Sequence, residues 1–134
     1  PMVEINAYSK AKDGSKKLSA NFTVKEFACK DGSDAVLTAP RLVMVLQSIR
    51  SHFAAPVVIH SAYRTPQYNA KVGGAAHSQH CYGTAADISV KGQTPAAVAT
   101  YARQLMPDWG GVGVYAGQGF THVDVRETRA DWTG

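Results

Sequence analysis

Apolar residues recur at helical spacing from Pro40 to Phe53: Leu42, Val45, Leu46, Ile49 and Phe53 share a face, while Arg41, Gln47 and Arg50 fall elsewhere. Pro40 suits the first turn of that helix, where its missing N–H would be unpaired anyway. The same period returns from Thr94-Pro95 to about Met106, with Val98, Tyr101, Ala102 and Leu105 on one side. Thr23-Val24-Lys25-Glu26 has the spacing of a capping box and predicts a short helix to about Cys29. Thr65-Pro66 opens a further helical turn that Gly73-Gly74 closes. Residues 57–60, 84–90, 111–115 and 120–125 read as strands. The last two flank Ala116-Gly117-Gln118-Gly119, which predicts an antiparallel hairpin with a four-residue loop. Residues 1–17 are polar and lysine-rich with a turn signal at Asp13-Gly14, and read as a loosely packed lead-in to a domain spanning 18–134. The expected architecture is a single α+β domain, with helices packed on a small central antiparallel sheet.

Composition narrows the function classes. The 134 residues suffice for one domain with a buried core, and 45% hydrophobic with 18% charged residues excludes a disordered or fibrous chain. The net charge of +4 is dispersed; its densest cluster is Lys10, Lys12, Lys16 and Lys17. No basic stripe with interleaved aromatics occurs, so nucleic acid is not an expected partner. A mildly positive chain does suit a polyanionic surface such as a bacterial cell wall. No apolar stretch approaches 18 residues, so no membrane span is expected, and no signal peptide is visible. Two cysteines, Cys29 and Cys81, are too few for a disulfide scaffold; one bridge between them is geometrically possible, but the core is expected to stand without it. A monomer is expected.

The chemistry concentrates in Ser78-Gln79-His80-Cys81-Tyr82-Gly83-Thr84-Ala85-Ala86-Asp87 and in Phe120-Thr121-His122-Val123-Asp124-Val125. Strand alternation puts Ala85, Asp87 and Ser89 on one face of the first strand, and Phe120, His122 and Asp124 on one face of the second. Asp87 and His122 can therefore leave the core side together. Gly83 gives the chain freedom to bring His80 in from the preceding loop. Two imidazoles and a carboxylate form the three-ligand set of an open zinc site, whose fourth position is left for water. Taken singly, each of these residues is an ordinary surface or core group; the frame that unites them carries the expectation.

Ser61-Ala62-Tyr63-Arg64-Thr65-Pro66, Gly73-Gly74-Ala75, Ser78-x-His80-x-x-Gly83-x-Ala85-Ala86-Asp87 and Gly119-Phe120-Thr121-His122-Val123-Asp124 follow one another along the chain. Over residues 18–126 this order resembles the zinc D-Ala-D-Ala carboxypeptidase family of peptidoglycan peptidases, whose metal fold is shared by lysostaphin-type enzymes and the hedgehog signalling domain. The segment 22–32, with Glu26-Phe27-Ala28-Cys29, is similar to the start of its smaller phage-type members. The resemblance implies zinc on His80, Asp87 and His122, a substrate-contacting catalytic guanidinium at Arg64, substrate binding by its neighbour Tyr63, and peptidoglycan stem or cross-link peptides as substrate. Ser78 is expected to bind substrate or a metal ligand, or else to serve as a plain turn hydroxyl.

The chain departs from that family at the general base. Relatives carry Glu three residues before the last zinc histidine or His two before it; here those positions are Gly119 and Phe120. Asp124 is the candidate base or, equally, a carboxylate that orients a ligand; a swap in which Asp124 binds metal and His122 acts as base is the weaker option. His77 is a second candidate base. Cys81 is expected to be an inert thiol rather than a ligand. Three functions follow: a zinc peptidase, an inactive wall-peptide-binding module that keeps the metal fold, and a structural zinc domain that would recruit Cys81 or Asp124 as fourth ligand.

Overall fold

In a computed structural model the described residues are 3–134. The chain runs through β1 (Asn6–Ser9), α1 (Lys10–Asp13), β2 (Lys17–Ser19), β3 (Phe22–Thr23), a 3-10 turn (Val24–Phe27) and β4 (Ala35–Thr38) before its first long helix, α2 (Pro40–Phe53). There follow β5 (Val57–Ser61), α3 (Pro66–Lys71), a second 3-10 turn (Gln79–Tyr82), β6 (Ala85–Val90), α4 (Pro95–Leu105), β7 (Gly111–Tyr115), β8 (Phe120–Asp124) and β9 (Ala130–Thr133).

Helix α2 buries Leu42, Val43, Val45, Leu46 and Ile49, the stripe that its period requires, and α4 buries Val98, Ala99 and Ala102. Both stripes meet one face of a five-stranded sheet of order β5-β6-β8-β7-β9, to which alternate residues Ala86, Ile88, Val90, Val112 and Val123 contribute. Because strand residues alternate faces, the intervening Asp87, His122 and Asp124 lie on the other face. Trimming a fully buried residue such as Leu46 or Ile49 to alanine should cost about 2–5 kcal/mol.

The hairpin between β7 and β8 forms as its spacing predicts, with Tyr115 opposite Phe120. Three features differ from expectation. The lead-in, although none of its described residues is buried, is tied down by pairing: β1 pairs antiparallel with β4, and Asp34 holds the start of α1 by accepting from Ser9 Oγ at 2.7 Å and from the Ala11 N–H at 2.8 Å. Its polarity misled because a short edge ribbon needs main-chain partners rather than an apolar face. The sheet is not wholly antiparallel, since β9 adds to β7 in parallel. And the helix expected to reach Cys29 is a single 3-10 turn ending at Phe27, although Glu26 does accept from the Thr23 N–H at 2.9 Å. Among the described residues no helix is long and apolar enough to cross a membrane.

Candidate metal centre and its cleft

Antiparallel pairing of β6 with β8 sets Asp87 directly across from His122 and Ala85 across from Asp124. His80 comes from the second 3-10 turn. Ser78 caps that turn, its Oγ accepting from the His80 N–H at 3.2 Å, and Gly83 ends it in the left-handed region at φ 76°. A Cβ at Gly83 would lie 2.6 Å from the Leu37 carbonyl, so glycine is required there by conformation and by space. His80, Asp87 and His122 are each buried, and their ligand atoms all lie within 4.8 Å of one another.

The hydrogen bonds around the two rings decide which nitrogens face inward. His80 Nδ1 lies 2.7 Å from the Ala62 carbonyl oxygen, which can only accept, so Nδ1 carries the proton and a neutral ring presents its Nε2 lone pair. His122 Nε2 lies 2.8 Å from Asp124 Oδ2 and donates to it, leaving Nδ1 as the inward atom. Those inward nitrogens approach Asp87 Oδ1 at 3.3 Å and 2.9 Å. With the inward nitrogens unprotonated, these three side chains form a buried acceptor set that could hold a cation; without one, the inward nitrogen of His122 donates to Asp87 instead. Tetrahedral coordination with bonds of about 2.0–2.1 Å separates ligand atoms by about 3.4 Å; the His80–Asp87 spacing of 3.3 Å is close to that, and the His122–Asp87 spacing of 2.9 Å is a hydrogen-bond length.

Burial pushes the Asp87 carboxyl up, but hydrogen bonds from His122 and His80, with their charge, outweigh it and hold the group well below the usual carboxylate range. Burial likewise opposes a charged His122; hydrogen bonds to Asp124 and Asp87 overcome it and raise its pKa above the ordinary imidazole value. Asp124 is fully buried behind His122. Its oxygens also accept from Arg126 Nε at 2.8 Å, Arg126 Nη2 at 2.7 Å and the Arg126 N–H at 3.1 Å. Asp124 therefore faces away from the converging atoms, on the far side of the ring.

A cleft of about 570 Å³ opens over this group, and Arg64, His77, Ser78, Phe120, Arg126 and Trp132 are among its walls. Arg64 is anchored three ways: Nε donates to Ser61 Oγ at 3.1 Å, Nη1 to Asn69 Oδ1 at 3.2 Å, and Nη2 lies 3.5 Å from Asp87 Oδ2. Asn69, itself buried, donates to the Ala75 carbonyl at 2.8 Å and so ties Arg64 to the Gly73-Gly74-Ala75 rim. His77 is exposed on that rim, 3.5 Å from Tyr82 Oη.

Of the residues singled out in the sequence, His80, Asp87, His122, Asp124, Arg64 and Ser78 come together here. Tyr63 does not line the cleft: it is 9% exposed, and burial first, then the nearby Cys29, Cys81 and Asp31, push its hydroxyl pKa up. Cys29 and Cys81 are both free thiols, and Cys81, half-buried, is not one of the converging group. His60 turns outward to Ser89 Oγ at 2.8 Å, and His52 stacks on Tyr101. Sequence reading missed Asn69, Arg126 and Trp132. For Arg126 a signal existed: an Asp-x-Arg pair on one strand face continues the parity of His122 and Asp124.

The peptidase M15 family model matches residues 17–124, a span that contains His80, Asp87 and His122 and stops before Arg126. No curated protein matches the chain significantly.

Proposed function

Because the chain belongs to the peptidase M15 family, we propose that it is a zinc-dependent peptidase that hydrolyses peptidoglycan stem or cross-link peptides, as a D-Ala-D-Ala carboxypeptidase or an endopeptidase. One observation supports the reading: ligand-type atoms of His80, Asp87 and His122, all buried, lie within 4.8 Å of one another, and each imidazole's outer nitrogen meets a protein oxygen. Two nitrogens and one carboxylate oxygen, with no fourth member among the described residues, suit catalytic zinc better than a closed structural site. When bound, zinc supplies Lewis acidity and lowers the pKa of water at the open position.

The chain's own residues supply the rest. His80 and His122 are held in the tautomers that ligation needs, the first by the Ala62 carbonyl and the second by Asp124. Arg64 engages three partners with its five N–H groups, which leaves two to donate to a substrate carboxylate or to the oxyanion of the tetrahedral intermediate. Ser78 shapes the turn that delivers His80 and lines the cleft beside it. Asp124, enclosed by His122 and Arg126, orients rather than exchanges protons. His77 lines the same cleft outside the converging group, and we assign it the proton-transfer role that relatives give to Glu or His.

The test is a digest of purified sacculi by protein of known zinc content. Turnover should stop with a chelator, return with zinc, and be absent from Asp87→Ala. Full zinc loading without release of any peptide fragment would replace the peptidase with a wall-peptide-binding module.

A further inference from the structure

The residues after the family match complete one wall of the cleft. Strand β9 runs parallel to β7 and places Trp132 beside Gly113, which itself pairs with His122. The alternating glycines Gly111 and Gly113 make room on that face: a Cβ at Gly113 would overlap the Trp132 indole, and one at Gly111 the Asp124 carboxylate and Arg126. Trp132 lies with its ring centre 5.1 Å from that of His122, tilted by 48°. Its single polar atom is occupied, since Nε1–H donates to Tyr115 Oη at 2.8 Å. Tyr115 in turn stacks on Phe120 at 4.6 Å. The Arg126 guanidinium sits 5.2 Å from the indole centre. What Trp132 offers the cleft is therefore apolar ring surface, next to a residue of the metal group.

Building on the peptidase reading above, we infer that Trp132 is a specificity-determining residue whose indole takes the apolar side chain of a substrate residue flanking the scissile bond. A side chain on that residue is the part of a peptide that comes within reach of a ring packed against His122. An alanine methyl gains contact there that a glycine lacks, and a small apolar group in such a pocket is worth on the order of tenfold in kcat/KM. Arg126 keeps the ring in place while holding Asp124.

The experiment compares kcat/KM on pairs of stem peptides that differ only by alanine or glycine at a residue flanking the cleaved bond, with zinc content measured for every protein. Wild type should prefer alanine at one of these positions by about tenfold. Trp132→Ala should bring that preference to within about twofold, mainly through KM, and Trp132→Phe should retain most of it. A fall in rate that is equal for both peptides, with the ratio unchanged, would show that Trp132 only supports the fold and would overturn the inference. A second readout does not need turnover. Trp109 and Trp132 are the two tryptophans, so in zinc-loaded Trp109→Phe all indole emission comes from Trp132. Titration with the product peptide bearing alanine should change that emission saturably, and no change would overturn the inference. If wild type cleaves neither peptide, the peptidase reading fails, while this titration still decides the role of Trp132.

Discussion

Asp124→Ala removes a fully buried carboxylate that accepts from His122 Nε2 at 2.8 Å and is clamped by Arg126 at 2.7 and 2.8 Å. Two costs follow. Breaking a buried ion pair costs about 3–5 kcal/mol, because the remaining partner loses its counter-charge. The Arg126 side chain is 31% exposed and can turn to water, so the lower end applies, about 3 kcal/mol, or roughly 10 °C in Tm for a domain of this size. The second cost falls on the metal. His122 loses the acceptor that fixes its tautomer and ring plane, and loss of such a partner weakens binding by about 10–100-fold. Asp124→Asn keeps the shape and can keep one acceptor for His122, but it turns an amide NH2 toward the Arg126 donors; it should fall between wild type and Asp124→Ala in both properties. Competition with a chromogenic zinc chelator, run beside thermal unfolding of metal-free protein, separates the two costs. Zinc affinities within twofold of wild type in both folded variants would refute the orienting role.

Arg64→Ala should lower kcat about 100-fold or more with zinc content unchanged, and Arg64→Lys should recover little, because a point charge replaces a fork held by Ser61 and Asn69; steady-state kinetics with metal analysis checks both. Zinc loading should release protons below neutral pH. The pKa of His122 is raised in the metal-free protein, so its inward nitrogen is protonated below that raised value, and affinity should fall as pH drops through it; calorimetry in two buffers of different ionisation enthalpy counts the protons. Asp34→Ala should free the start of α1, speeding exchange of the Ala11 amide on the order of tenfold while the core amides of α2 stay protected.

The parts of this molecule that obey a period were legible from its sequence. The stripes of α2 and α4 and the parity of Asp87, His122 and Asp124 each follow from one repeat length and an apolar face. The capping-box residues were also read, yet the helix they announced stops after one 3-10 turn, because a cap starts a helix without supplying the apolar stripe to continue it. Strands β1, β4 and β9 were missed for a related reason. They are edge or ribbon strands of four residues, stabilised by main-chain pairing that leaves little trace in side-chain pattern. At the converging group, His80, Asp87 and His122 were visible in a frame of spacings, but the direction of Asp124 was not. Only the fold reveals that His122 offers Nδ1 inward and Nε2 to Asp124, and that Arg126 closes the carboxylate from behind. The aromatic wall was hidden too, since it depends on a parallel strand laid beside the two glycines of Gly111-Val112-Gly113.

The proposed activity is metal-dependent cleavage of a wall peptide at the His80, Asp87 and His122 group. It is tested most directly by mass spectrometry of defined muropeptides incubated with zinc-loaded protein, metal-free protein and Asp87→Ala. A mass loss is expected with the loaded protein alone, and its fragment masses name the bond. Intact muropeptides of every stem and cross-link type, in the presence of one tightly bound zinc per chain, would contradict it.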